Sequence, residues 1–206
     1  MNKKIIIIDY GMGNLNSVKR KLFRLGIDAL ISNHPSDISQ ADKLILPGVG
    51  HFQKAVENLK QLQLWEVLNK AILVKKKPIL GICLGMQLMA AHSEEGNAEG
   101  LGWFDAEVIK FKVKDYLKYK VPHTGWNQVS RLKESKLMQD IPELSEFYFV
   151  HAYHFKCNNP ADILNETEYE YKFTSAVEKE NIFGVQYHPE KSHDVGEVLM
   201  RNFINM

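Results

Sequence analysis

The sequence predicts an α/β fold: a mostly parallel central sheet flanked by helices, with an additional strand-rich region in its C-terminal half. Three observations carry this. Short β-branched and apolar runs alternate with helical patterns up to about residue 100, the arrangement that builds parallel strands joined by crossover helices. Those runs are apolar at consecutive positions, as strands buried on both faces are. Beyond them the helical patterns give way to strand-like segments separated by turn residues.

Taken in order, KKIIIID (3–9) is a continuous β-branched run and the first strand. GMGN follows as a turn. Asn14 is placed to cap a helix carrying Leu15, Val18, Leu22 and Leu25 at helical spacing, with Gly26 as its stop. DALIS (28–32) is a second strand, and DKLILPGVG (42–50) a third that runs into a Pro/Gly loop. Residues 52–60 and 64–74 carry helical patterns. KPILGIC (77–83) is a fourth strand, and LGMQLMAAHSEE after it starts as a helix. In the second half, AEVIKF, WNQVSRL, EFYFVHAYHF, FTSAVEK and IFGVQYH are strand-like. The tail predicts a closing helix with Val195, Val198, Leu199, Phe203 and Ile204 on one stripe and Asp194 as its N-cap. No linker rich in Pro, Gly or Ser interrupts the pattern, so residues 1–206 are expected to form one domain.

Composition excludes several classes. Of 206 residues, 45% are apolar and 25% charged, and the formal net charge is +1, so no strong field favours nucleic acid or a membrane surface. No apolar run approaches the roughly 20 residues of a membrane helix. The opening MNKKIIIIDYG has only four isoleucines before Asp9, short of the roughly 7–15 residues of a signal-peptide core. A cytoplasmic protein is expected, with Cys83 and Cys157 reduced. Cys157 is expected to be a structural thiol. His51, His151 and His154 are expected to be packing or surface residues, since no metal-ligand spacing repeats.

Cys83 is the pivotal residue. It lies where a buried strand gives way to a helix, with Gly81 and Gly85 two places to either side. Small neighbours let a chain make the tight turn of a nucleophile elbow. Free N–H groups at a helix start favour thiolate over thiol, and the Leu84 N–H would point toward an oxyanion. A lone cysteine after an apolar strand is also an ordinary core residue, so this stretch alone leaves both readings open. A nucleophile needs a base and the base an orienter. GVQYHPEKS (184–192) offers His188 and Glu190 on either side of Pro189. Proline holds the preceding residue extended, and residues i and i+2 of an extended segment point the same way. The carboxylate would hold one ring nitrogen as a donor and leave the other to work with sulfur. Alone, the pair reads first as an exposed histidine beside a solvated glutamate.

Together these pieces resemble the class I, triad-type glutamine amidotransferases. That family carries its cysteine in a G-x-C-x-G-x-Q elbow and a His-Pro-Glu near the C-terminus. Here these are Gly81-Ile82-Cys83-Leu84-Gly85-Met86-Gln87 and His188-Pro189-Glu190, and LPGVGHF (46–52) matches the family's oxyanion loop. DYGMGNLNSV (9–18), PGVGHF, GICLGMQL, GLGW, VPHTGWNQV (121–129), YFVHAY and HPEKS, in that order, are similar to the glutaminase subunits of imidazole glycerol phosphate synthases.

The resemblance implies a flavodoxin-like core and a Cys83–His188–Glu190 triad that hydrolyses L-glutamine to glutamate and ammonia through a cysteinyl thioester. It assigns oxyanion N–H groups to Leu84 and to the loop of Val49 and Gly50. It assigns glutamine binding to Gly48, Gln87, Glu95, Tyr148, Ala152 and Tyr153. Ala152 departs from the family, which often has Ser or Thr there; a contact is lost if that hydroxyl bonds substrate and nothing is lost if only the backbone serves. No metal or organic cofactor is implied. The partner implied is a (β/α)8-barrel cyclase subunit in a heterodimer, contacted through Tyr10, Asn14, His123 and Trp126, the last two of which are equally readable as a satisfied histidine and a packed aromatic. The same triad would serve a paralogue that feeds ammonia to another synthase, such as a surface-sugar amidating enzyme. A scaffold that only regulates a barrel partner and a stand-alone cysteine peptidase are weaker alternatives: the first leaves the complete triad without a use, the second Gln87 and the partner loops.

Overall fold

The computed structural model describes residues 3–206. Its elements run β1 (Ile5–Ile8), α1 (Leu15–Arg24), β2 (Ala29–Ser32), α2 (Pro35–Gln40), β3 (Lys43–Gly48), α3 (Phe52–Gln61), α4 (Leu64–Asn69), β4 (Ile79–Cys83) and α5 (Leu84–Gln87). They continue with β5 (His92–Ser93), β6 (Ala98–Glu99), β7 (Ala106–Lys110), β8 (His123–Gln128), β9 (Ser130–Arg131), β10 (Glu146–His151) and β11 (Tyr153–Cys157). β12 (Ile163–Tyr169), β13 (Tyr171–Lys179), β14 (Ile182–Val185) and α6 (His193–Asn205) complete the chain. The strands of the large sheet lie in the order β2-β1-β3-β4-β14-β13-β11-β7-β5-β6. The β2-β1-β3-β4-β14 part is parallel throughout, and β14-β13-β11-β7 is antiparallel.

The consecutive apolar runs behave as strands buried on both faces must. In β1, Ile6 and Ile8 enter the core on one side of the sheet and Ile5 and Ile7 the core on the other. In β3, Leu44 and Leu46 divide from Ile45 in the same way. Residues of α3 and α4 pack on the first side, and those of α1 and α6 on the second. Asn14 caps α1 by accepting a hydrogen bond from the Ser17 N–H at 3.3 Å, and Gly26 takes the left-handed conformation (φ +77°) that stops it. Lys43 is buried beneath the tail; its ammonium bonds the Phe203 carbonyl at 3.0 Å, and burial lowers its pKa to about 8.

Four expectations needed correction. The helix after Cys83 is a single turn, because the carbonyls of Leu88, Met89 and Ala90 accept from the N–H groups of Leu101, Trp103, Phe104 and Gly102 and cannot serve a longer helix. The strand expected at 146–155 breaks at Ala152: β10 pairs with β8 in a separate two-stranded sheet, and β11 pairs with β7 in the large one. Asp194 lies in the first turn of α6, and Ser192 takes the cap position. The Ser192 hydroxyl is engaged elsewhere, donating to the His188 carbonyl at 2.6 Å and accepting from the Tyr148 N–H at 3.0 Å. Finally, β12 lies outside the expected strands: ILNETEY is mostly polar, and its order comes from pairing with β13 and β9 and from buried contacts such as Thr167–Ser175 at 2.9 Å.

The β4–α5 turn is sterically exacting. A Cβ on Gly85 would run into the Leu46 carbonyl oxygen, and one on Gly81 would stand 2.8 Å from the Gly85 carbonyl carbon. Backbone cannot yield as a flexible side chain can. Gly85→Ala is therefore expected to lower stability by about 1–3 kcal/mol, read as a lower urea midpoint with unchanged slope; an unchanged midpoint would refute the steric account.

Candidate active site

The site stands at the carboxyl ends of β3 and β4, where ligands gather in open parallel sheets. Gly48 pairs with Cys83 in the register of those strands, so the loop of Val49 and Gly50 emerges beside the cysteine. Cys83 has φ 54° and ψ −111°, a conformation that a residue with a side chain adopts only under constraint. A cavity of about 450 Å³ opens over it. Val49, Gly50, Leu84, Gln87 and Glu95 line it together with Cys83, and Ala152 and Tyr153 face them. The break between β10 and β11 thus falls in the cavity wall.

His188 and Glu190 are brought together as expected. His188 Nδ1 donates to Glu190 Oε1 at 2.8 Å, and the two side chains are only 2% and 3% exposed. His188 is extended, as its following proline dictates, and its N–H donates to the Tyr148 carbonyl at 2.9 Å. A carboxylate only accepts, so Nδ1 carries the proton. Nε2 is buried and makes no well-formed hydrogen bond. Burial works against a charged imidazole here, but the Cys83 sulfur and the Glu190 carboxylate outweigh it and push the His188 pKa up to about 10. An imidazolium beside sulfur at neutral pH is the state from which a thiolate can attack.

Other expected residues divide. Glu95 lines the cavity and also accepts from the Phe52 N–H at 2.8 Å, fixing the start of α3 behind the loop. Gly48 does not line the cavity; its Cα lies against the Tyr10 hydroxyl, where any Cβ would clash. Tyr148 is likewise outside it: its ring meets Trp126 edge-on at 5.9 Å, and Val150 and His151 take its place in the wall. Tyr10 and His123, expected at the partner face, have buried side chains. Tyr10 is fully buried, and His123 is buried with its ring stacked on Tyr169 at 4.0 Å. Asn14 is exposed and Trp126 is 44% exposed.

Sequence reasoning passed over Pro122, Val150 and His151 of the lining, and also Gln186. Gln186 is wholly buried and its amide Nε2 lies 3.6 Å from Cys83 Sγ. The available signal was a polar side chain inside the apolar run IFGVQY. His51 is exposed, and His151 and His154 are buried. Burial lowers the pKa of His123 and His154 to about 4 and that of His151 well below the ordinary value. Among the described residues no three His, Cys, Asp or Glu side chains assemble as a metal-ligand set, and no helix is long and apolar enough to cross a membrane.

A cysteine on a strand-to-helix elbow beside a buried His–Glu pair belongs to the chemistry of acyl transfer. The model of the family Glutamine amidotransferase class-I matches residues 6–206, and the chain belongs to that family, whose members hydrolyse glutamine. The chain is 53% identical to the imidazole glycerol phosphate synthase subunit HisH 2 of Methanococcus maripaludis, over 97% of its own length and 98% of the relative's. It is 46% identical to HisH 2 of Pseudomonas aeruginosa (98% and 99% covered) and 46% identical to HisH 1 of Campylobacter jejuni (98% and 100%). Among solved structures, a glutamine amidotransferase superposes with a TM-score of 0.76 at 17% identity, covering 97% of each chain. A glutamine amidotransferase of Thermotoga maritima gives 0.64 at 17% identity, covering 100% of this chain and 82% of that one. These two share the fold.

The raised His188 pKa fixes a pH dependence. A pair that works as imidazolium and thiolate stays active below the histidine's pKa and is lost as pH rises through it. The kcat/KM for glutamate release is expected to hold level through neutral pH and fall toward pH 10. Glu190→Gln removes one of the charges that raise this pKa, so its alkaline limb moves to lower pH, with a rate loss of about 100-fold or more. An unmoved limb would contradict the assignment.

Proposed function

We propose that this chain is the glutamine-hydrolysing subunit of an imidazole glycerol phosphate synthase and delivers ammonia to a cyclase subunit during histidine biosynthesis. The observation that carries the reading is near-full-length identity of 46–53% to subunits of that name, in a chain whose cavity opens over Cys83.

In this reading the Cys83 thiolate attacks the side-chain amide carbon of glutamine. The carbonyl oxygen takes up the charge and is met by the Leu84 N–H and an N–H of the loop at Val49 and Gly50. As the C–N bond breaks, His188 gives its Nε2 proton to the leaving nitrogen and ammonia departs. Water then attacks the thioester carbon with His188 taking its proton. Glutamate leaves, and the imidazolium–thiolate pair is restored. Glu190 keeps the ring oriented and stabilises its charge throughout. Gln87, Glu95, Tyr153 and the backbone at Ala152 hold the amino-acid end of the substrate.

Free ammonia protonates and diffuses away, so coupling the two sites favours a docked acceptor. We read the acceptor as a (β/α)8-barrel cyclase in a cytoplasmic heterodimer. The exposed Asn14 and Trp126 mark the face it would cover.

A second reading has its own support. The three relatives above carry copy numbers in their names, as duplicated subunits would, and a duplicate can feed a different synthase, such as one that amidates surface sugars.

Coexpression with the cyclase separates these readings. Glutamine-dependent formation of imidazole glycerol phosphate is expected, together with growth of a histidine-requiring strain that lacks its own glutaminase subunit. Cys83→Ala is expected to cut glutamine-dependent turnover by about 1,000-fold or more while leaving ammonium-dependent turnover by the cyclase intact. Glutamate release without rescue would favour the second reading, and glutamine-dependent turnover surviving in Cys83→Ala would refute both.

A further inference from the structure

We propose that Gln186 is a positioning residue that ties the Cys83 sulfur to the wall of the glutamine cavity through a single hydrogen-bonded chain. The inference rests on the reading of Cys83 as nucleophile and adds to that site a residue with which the mechanism above does not reckon.

The chain's direction follows from its fixed end. The Tyr153 carbonyl can only accept, and it accepts from Gln87 Nε2 at 3.0 Å and from His151 Nδ1 at 2.7 Å. The Gln87 atom facing it is therefore the amide nitrogen. The same nitrogen lies 2.9 Å from the Gln186 amide, so Gln186 must present Oε1 to it. That leaves Gln186 Nε2 to face Cys83 Sγ at 3.6 Å, ordinary reach for a bond to sulfur. A carbonyl in the cavity wall thereby dictates that the nucleophile meets a donor and not an acceptor. The backbone holds this amide in place, since the Gln186 N–H donates to the Ser175 carbonyl at 2.9 Å.

Two consequences follow. A buried N–H aimed at sulfur stabilises the thiolate over the thiol, because bonds to charged acceptors are the strong ones. Both N–H groups of Gln87 are also committed, so its Oε1 is the amide atom left for a ligand. One residue thus orients the nucleophile and the Gln87 amide together. The chain continues outward, as His123 Nδ1 lies 3.1 Å from His151 Nε2 and Asn127 Nδ2 lies 3.3 Å from His123 Nε2. Burial keeps both histidines neutral, so each can donate through one ring nitrogen and accept through the other.

The test uses thiol alkylation of the isolated chain. The protein has two cysteines, so a Cys157→Ala background makes iodoacetamide report on Cys83 alone. Gln186→Met keeps the length and removes both hydrogen bonds. Gln186→Asn keeps an amide and withdraws it by one methylene. Each is expected to raise the midpoint of the alkylation rate–pH curve by about one pH unit, equivalent to about tenfold less thiolate at a given pH, and to raise the KM for glutamine. A residue that merely filled space would lower the melting temperature and leave that midpoint in place. A midpoint coinciding with the parent's would overturn the proposal, and Gln186→Asn decides alone if Gln186→Met does not fold. The readout needs neither partner nor ammonia acceptor, so its failure is distinct from failure of the proposed function.

Discussion

Cys83 holds a backbone conformation that its own side chain disfavours, and the arrangement of the site depends on that constraint. It is imposed from three directions. Gly81 and Gly85 approach too closely for any side chain, and the Leu46 carbonyl of the neighbouring strand closes the remaining space. The parallel pairing of β3 with β4 then sets Gly48 opposite Cys83, which delivers the loop of Val49 and Gly50 to the same point. Strain of this kind costs about 1–3 kcal/mol and persists only where the surroundings over-determine it. Here they are strands buried on both faces, among the most rigid material a fold offers.

The same fold sorts buried histidines into two populations. His188 has a carboxylate on Nδ1 and sulfur beside it, and these charges hold it protonated against the effect of burial. His123, His151 and His154 are equally enclosed but meet carbonyls, a hydroxyl and one another's rings. Burial then prevails, and they remain neutral. The neutral ones can keep fixed donor and acceptor sides, which a charged ring cannot. Chemistry at sulfur and rigidity in the cavity wall thus come from one residue type in two electrostatic settings.

Much of this was legible in the residues. Runs such as KKIIIID and DKLILPG announce doubly buried strands, and the Gly–x–Cys–x–Gly spacing announces the elbow. The proline after His188 announces an extended histidine with a carboxylate in reach. What stayed hidden was long-range. The apolar stretch after Cys83 has a helical pattern, yet a segment 12–15 residues further along takes its carbonyls. EFYFVHAYHF is one continuous strand pattern, yet it changes sheets at Ala152. Tyr10 and His123 sit in loop-like, glycine-bearing stretches that suggest surface, yet their rings fold inward. Gln186 resembles a chance polar residue in a strand until Gln87, distant in sequence, is brought beside it. Local pattern fixes what an element is; only tertiary pairing fixes what its polar atoms meet.

The central claim is that Cys83 forms the covalent intermediate, and rapid acid quench during glutamine turnover tests it most directly. Intact-mass and peptide mass spectrometry of the quenched protein is predicted to find a glutamyl adduct on the peptide containing Cys83 and none in Cys83→Ala. An adduct on another residue, or turnover persisting in Cys83→Ala without any adduct, would contradict the account.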